Sequence, residues 1–465
     1  MPTPSRAASL HAAHALLPQG WARDVRIVID AGGGISGVEA DSAARVEDTV
    51  LAHGVLLPAP ANLHSHAFQR AMAGLTEHRS GGTGDDFWSW RRLMYAFLDR
   101  LTPEDVEAIA AQVQMEMLEA GYAAVAEFHY LHHGTDGRPY ADLAEMAARV
   151  AAAAGRTGIG LTLLPVLYRQ GGLDGAPLEG GQRRFGCDRD SYADILAGAE
   201  TALARLGGDD GRVGVAPHSL RAVGADDLAW AAGLRPDRPV HIHIAEQTAE
   251  VEAIEAAYGA RPVAWLLDRF AVDGRWCLVH ATHMTAHERD RLATSGAVAG
   301  LCPVTEANLG DGLFDAAAYL ERGGAFGVGS DSNVRIDLVE ELRLLEYGQR
   351  LRHRGRALLA SEGRSVGRTL LDAVTAGGAR AAGRNSGRIA KGAVADLVAL
   401  DGRHLALDGL SGDRLLDAWI FAGDGRAVDR VWSAGRPCVA GGRHHRHEAI
   451  EAAFRRTMAR LRTDL

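Results

Sequence analysis

A chain of 465 residues with 47% hydrophobic and 23% charged content can bury a substantial core and has room for more than one ordinary domain, and nothing in it suggests disorder. Its formal net charge of −9 argues against a general nucleic-acid or acidic-membrane binder, since those need a basic surface, though a basic pocket for a small anion is still allowed. No stretch approaches the roughly 18 continuous apolar residues of a membrane span, and Met1 to Arg6 leads into no apolar signal core, so a cytoplasmic protein is expected. The cysteines Cys187, Cys277, Cys302 and Cys438 form no Cys-x-x-Cys pair and read as reduced, packed thiols. Lys391 is the only lysine.

In chain order, residues 16–57 carry short alternating segments, such as 25–29 and 35–38, broken by turns such as Gly32-Gly33-Gly34. They predict a small antiparallel β unit. From about residue 60 onward β-like runs alternate with helical ones rich in Ala, Leu and Glu. Strands are expected at 56–63, 123–128, 159–167, 213–217, 240–244, 276–279, 297–301 and 325–329, and helices at 103–119, 142–154, 191–206, 245–258 and 286–294. Eight strand-helix alternations fit a (β/α)₈ TIM-type barrel better than an open sheet. After helices at 338–354 and 368–382, strand and turn texture returns at 386–400 and 428–439, and a last helix is expected at 449–462. The expected fold is therefore α/β. Residues 1–58 and 385–448 form a small flanking β-sandwich built from both termini, 59–384 the barrel, and 449–465 a C-terminal helix. His444, His445 and His447 lie in a polar turn and read as solvated surface. Glu340-Glu341-Leu342-Arg343 reads as packing and solvated charge.

Barrel chemistry gathers at the C-terminal ends of the strands, so the residues there carry the functional argument. The first strand ends in His64-Ser65-His66, whose imidazoles share one side because strand side chains alternate with period two. The second ends in Glu127-Phe128-His129-Tyr130, the fourth in Pro217-His218-Ser219-Leu220-Arg221 and the fifth in His241-Ile242-His243-Ile244-Ala245-Glu246. The sixth ends in His280-Ala281-Thr282-His283 and the eighth in Gly329-Ser330-Asp331-Ser332. One strand-end histidine is explained by packing. Histidines and a carboxylate at five or six strand ends predict a catalytic metal site.

This arrangement resembles the amidohydrolase superfamily, whose pattern is His-x-His after strand one, His after strands five and six, and Asp after strand eight, beside a β-sandwich from both termini. The run from Gly387 to Val398 is similar to that superfamily's return strand. Two-metal members use a lysine after strand four, and Lys391 lies elsewhere. The resemblance thus implies the one-metal deaminase type, with His64, His66, His243 and Asp331 as ligands to one divalent ion. Zinc is the expected ion, and the ligand types also admit iron. His241 shares the parity of His243, so spacing leaves both open. The resemblance favours His243 because Glu246 stands three residues later, as in the superfamily's deaminases.

The runs at 62–70, 126–130, 218–221 and 305–310 resemble the N-formimidoyl-L-glutamate deiminase family of histidine degradation, whose members release ammonia and N-formyl-L-glutamate. The resemblance implies a metal-bound water attacking the formimidoyl carbon. His280 is placed by type to take its proton or orient it, Glu246 to bind the amidinium and shuttle the proton, and Asp331 to hold the water while ligating metal. Arg221 suits a bidentate carboxylate clamp. Arg91, Gln69 and Tyr130 complete the pocket by resemblance, and His218 lines or backs it. His129, His132, His133 and His283 stay unassigned. A homodimer is expected by analogy with the superfamily. Three rivals stand beside this reading: a deaminase of an aromatic base such as guanine, a hydrolase cutting the other C–N bond to give glutamate and formamide, and a metal-free scaffold.

Overall fold

The structure, a computed structural model, describes residues 8–77, 87–207 and 210–463, with side chains at 87–89 and 92 left aside. Strands β1 (Ser9–Leu17), β2 (Gly20–Ile29), β3 (Ile35–Glu39) and β4 (Thr49–Pro58) open the chain. The barrel follows as β5 (Ala61–Ser65), β6 (Ala124–His129), β7 (Gly160–Leu167), β8 (Arg212–Val213), β9 (Ala216–Pro217), β10 (Val240–Ile244), β11 (Trp276–His280), β12 (Val298–Leu301) and β13 (Ala325–Val328). The last strands are β14 (Leu397–Asp401), β15 (Val428–Ser433), β16 (Arg436–Ala440) and β17 (Arg443–His444). Strands β8 and β9 are two halves of the barrel's fourth strand. The break falls at Gly214, where a Cβ would meet Leu164 Cδ2 at 2.5 Å and Pro239 O at 2.9 Å.

All barrel pairings are parallel. Parallel bridges Val215↔Val240 and Ser219↔His243 join β9 to β10, and Ser65↔Asp331 joins the two ends of the ring. The barrel strands are buried almost throughout, as a parallel sheet covered by helices requires. The helices have ordinary start signals. Pro103–Glu119 begins with Thr102 and Asp105 in a capping box and Pro at its first position.

The eight-stranded sheet runs β17-β16-β15-β14-β4-β1-β2-β3, so both ends of the chain build it. It has its own apolar core around Leu10, Val25, Ile27, Leu56, Leu397 and Trp432. Two expectations are corrected here. The unit is not purely antiparallel, because β1 and β4 run parallel. The run 56–63 is two strands, β4 in the outer sheet and β5 in the barrel, separated at Ala59-Pro60. Pro58 and Pro60 carry no N–H for a ladder, and the chain changes sheets where donors are missing. Arg384 and Asp396, both with side chains 1% exposed, bind each other at 2.5 and 2.8 Å and anchor β14 to the end of helix Val366–Ala381.

The expected solvated histidine turn is also corrected. His444 is 2% exposed, with Nε2 bonded to Thr157 O at 2.8 Å. It joins the sheet to helix Glu145–Thr157. Burial holds its pKa down at about 4, and does the same for His132, whose Nε2 bonds Val166 O. Both imidazoles are therefore neutral in the folded chain near pH 6, while unfolded ones protonate from 6.5 downward. Since the unfolded state binds more protons in that window, stability is expected to fall from pH 6.5 toward pH 4, by at most about 3 kcal/mol for each group. Urea midpoints measured at several pH values check this. An unchanged slope in the His132→Gln, His444→Gln variant would contradict it.

Candidate active site

His64 and His66 sit at the end of β5, His243 in β10, His280 at the end of β11 and Asp331 just past β13. The seam between the first and last barrel strands sets their register. Asp331 N donates to His64 O at 3.0 Å and His66 N to Asp331 O at 2.9 Å. Gly329 permits that approach, since a Cβ there would lie 2.7 Å from His64 N and O. Ala245, His280, Ala281, Asp331 and Asn333 all have positive φ, between 44° and 66°. Such conformations cost about 1 kcal/mol or more each and persist only where the surroundings impose them, as at active sites.

The imidazoles converge. His64 Nε2 is 3.2 Å from His66 Nε2 and 3.0 Å from His243 Nε2, and Asp331 Oδ1 lies 3.4 and 3.3 Å from His64 and His66. Nδ1 of His66 bonds Phe128 O at 2.9 Å and Nδ1 of His243 bonds His218 O at 3.2 Å. A carbonyl accepts only from N–H, so these tautomers leave the Nε2 lone pairs facing one another. Burial lowers the pKa of all three histidines, His64 to about 3. Burial would raise Asp331, but the hydrogen bond and charge of His64, with His66 and His280, hold it well below the usual carboxylate range. Three lone pairs and an anion in one buried place fit a divalent cation. Bonds of about 2.0–2.1 Å from a tetrahedral zinc would put donor atoms about 3.3 Å apart, matching the separations here.

His280 stands beside this cluster. Its Nδ1 bonds Glu306 Oε1 at 3.2 Å, and its Nε2 is 3.8 Å from Glu246 Oε1 and 4.0 Å from Asp331 Oδ2. Burial opposes its charge, yet the attraction of Glu246, the Glu306 hydrogen bond and Asp331 push its pKa up to about 10. A divalent cation in the cluster would oppose that rise. Burial raises the Glu246 pKa, against the pull of His280 and Arg221.

A cavity of about 310 Å³ opens over the cluster, at the small end of ligand pockets. Gln69, Arg91, Tyr130, His218, Arg221 and Glu246 line it. Gln69 Nε2 donates to Tyr130 Oη at 2.7 Å, and Arg91 Nη2 to Tyr168 Oη at 3.3 Å. The structure thus brings every residue singled out by sequence into one place. His241 is elsewhere, one pleat deeper with Nε2 bonded to Ala381 O at 2.8 Å. His133 and His283 bond the backbone oxygens of Gly186 and Asp311. Glu341, expected among solvated charge, is fully buried and accepts Val304 N at 2.9 Å.

Sequence reasoning passed over Glu306, Tyr168 and Glu250. Glu306 lies inside the quoted run 305–310, four residues after the end of β12's neighbour Cys302, whose N–H it accepts at 2.9 Å. Glu250 stands one helical turn after Glu246, a spacing that could have drawn attention to it.

Residues 55–438 match the Amidohydrolase family, and residues 8–50 match the N-terminal domain of formimidoylglutamate deiminase HutF. The formimidoylglutamate deiminase of Pseudomonas aeruginosa is 50% identical over 97% of this chain and 99% of its own. The crystal structure of an amidohydrolase from Brucella melitensis superposes with a TM-score of 0.92 at 51% identity, covering 97% of this chain and 99% of that one. The 5-methylthioadenosine/S-adenosylhomocysteine deaminase of Natronomonas pharaonis is 29% identical over 84% of this chain and 83% of its own.

Proposed function

Because the chain belongs to the amidohydrolase family, and within it to the formimidoylglutamate deiminases, we propose that it hydrolyses N-formimidoyl-L-glutamate to N-formyl-L-glutamate and ammonia. The observation that carries this reading is the presence of Arg91 and Arg221 in the same cavity as the His64, His66, His243 and Asp331 cluster. A dicarboxylate tail needs cations, and the reacting carbon needs to sit over the cluster. The four cluster residues hold one divalent ion, zinc by donor type. When bound, the ion lowers the pKa of a water and makes it a nucleophile near neutral pH.

The chain's own residues do the rest. Glu246 accepts hydrogen bonds from the amidinium nitrogens and carries a proton to the departing one. His280 takes a proton at Nε2 while Glu306 holds Nδ1–H, which fixes the tautomer and favours the cationic ring. Asp331 Oδ2, on the His280 side, accepts from the attacking water. Water adds across the C=N group, and collapse of the tetrahedral carbon expels ammonia and leaves the formyl oxygen. Arg221 and Arg91 hold the glutamate carboxylates, and Gln69, Tyr130 and His218 shape the wall. The reduced thiols support a cytoplasmic location. No helix among the described residues is long and apolar enough to cross a membrane.

Mixing metal-replete protein with N-formimidoyl-L-glutamate and following ammonia, formamide, N-formylglutamate and glutamate together tests the reaction. Ammonia with N-formylglutamate in equal amounts is the expected result. Formamide with glutamate would reverse the assigned leaving group, and turnover of guanine instead would overturn the substrate.

A further inference from the structure

Four residues beyond Glu246, in the first turn of helix Thr248–Tyr258, Glu250 is 2% exposed and lines the cavity. Its Oε2 accepts the Glu246 backbone N–H at 3.0 Å, as carboxylates at helix N-termini commonly do. A capping role accounts for that oxygen alone. Oε1 is buried without a hydrogen-bond partner and faces Arg221 Nε, which is buried and likewise unpartnered, at 4.0 Å. On its other side the same guanidinium places Nη2 3.7 Å from Glu246 Oε2. Both separations exceed hydrogen-bond length. Burial opposes the Arg221 charge, and the attraction of Glu250, then of Glu246, more than offsets it. One cation is suspended between two buried carboxylates.

Resting on the substrate reading above, we propose that Glu250 is a positioning residue for carboxylate recognition. Its charge anchors Arg221 at Nε and keeps the guanidinium from closing onto Glu246. The Nη edge then stays open to a substrate carboxylate, and Glu246 stays open to the amidinium. Without that charge the nearest anion to Arg221 is Glu246, and a bidentate pair formed in this buried place removes both groups from the reaction. Substrate must then break the pair in order to bind.

Glu250→Gln keeps the shape and an amide oxygen for the Glu246 N–H while removing the charge. With N-formimidoyl-L-glutamate, kcat/KM is expected to fall about tenfold or more, mainly through KM, because bound substrate draws Arg221 back. In the Arg221→Ala background the same change is expected to alter kcat/KM less than about twofold, since the residue it acts through is gone. Glu250→Asp, which restores the charge, is expected to recover part of the loss. Full additivity in the double variant, or an unchanged KM in Glu250→Gln, would overturn the proposal in favour of a cap alone. Should Glu250→Gln lose its thermal transition, the cycle is run with Glu250→Asp, where absence of coupling to Arg221 overturns it equally. If the unmodified chain does not turn the substrate over, the functional reading fails, and the coupling is read separately from calorimetric binding of glutarate to the metal-replete protein and the same variants.

Discussion

Glu246→Gln is expected to lower kcat by about 10²–10⁴-fold, equivalent to about 3–5 kcal/mol of transition-state stabilisation, with metal content unchanged. The side chain is 6% exposed, Oε1 faces His280 and Oε2 faces Arg221, so it lies between the proton acceptor and the carboxylate clamp. Glutamine fills the same space. It cannot carry a proton to a leaving nitrogen, and it offers the amidinium one acceptor instead of two charged ones. Since Glu246 is not among the four converging ligand atoms, metal analysis of the variant separates chemistry from metal binding. A kcat within about threefold of the unmodified chain would remove Glu246 from the mechanism.

His243→Ala is expected to leave the purified chain with little bound metal and to reduce activity about a thousandfold or more. Two imidazoles and one carboxylate remain, too few to hold a divalent ion in the described geometry. Because a metal that binds only the folded chain also stabilises it, the variant and chelator-treated unmodified protein are expected to melt together, below the metal-replete protein. His241→Asn supplies the contrast. Its imidazole bonds Ala381 O and does not face the cluster, so metal content and kcat are expected to persist. Metal retained in His243→Ala and lost in His241→Asn would exchange the two residues in the ligand set.

The pair His241 and His243 also shows how far the sequence reaches. Alternation along a strand told that both point inward, and it carries no information about depth. Depth follows from the stagger of neighbouring strands, which brings β10 alongside β11 with His243 opposite Val279 and Ser219 bridged to His243. One pleat decides whether an imidazole meets the other ligands or a backbone carbonyl beneath them. The run 56–63 failed for a related reason. Its apolar residues suit either sheet, and only the lack of donors at Pro58 and Pro60 marks the crossing between them.

By itself the sequence determined the barrel, the outer sheet from both termini, and the concentration of histidines and acids at strand ends. Those features follow from periodicity and residue type, which are local. The tertiary structure alone decided that Glu306 holds His280, that His444 and Glu341 are buried, and that Arg221 is shared between Glu246 and Glu250. Each of these joins groups from different elements or depends on what a neighbouring element covers. Such contacts are set by how the strands stagger and the helices pack, and that packing is a property of the whole fold rather than of any run of residues within it.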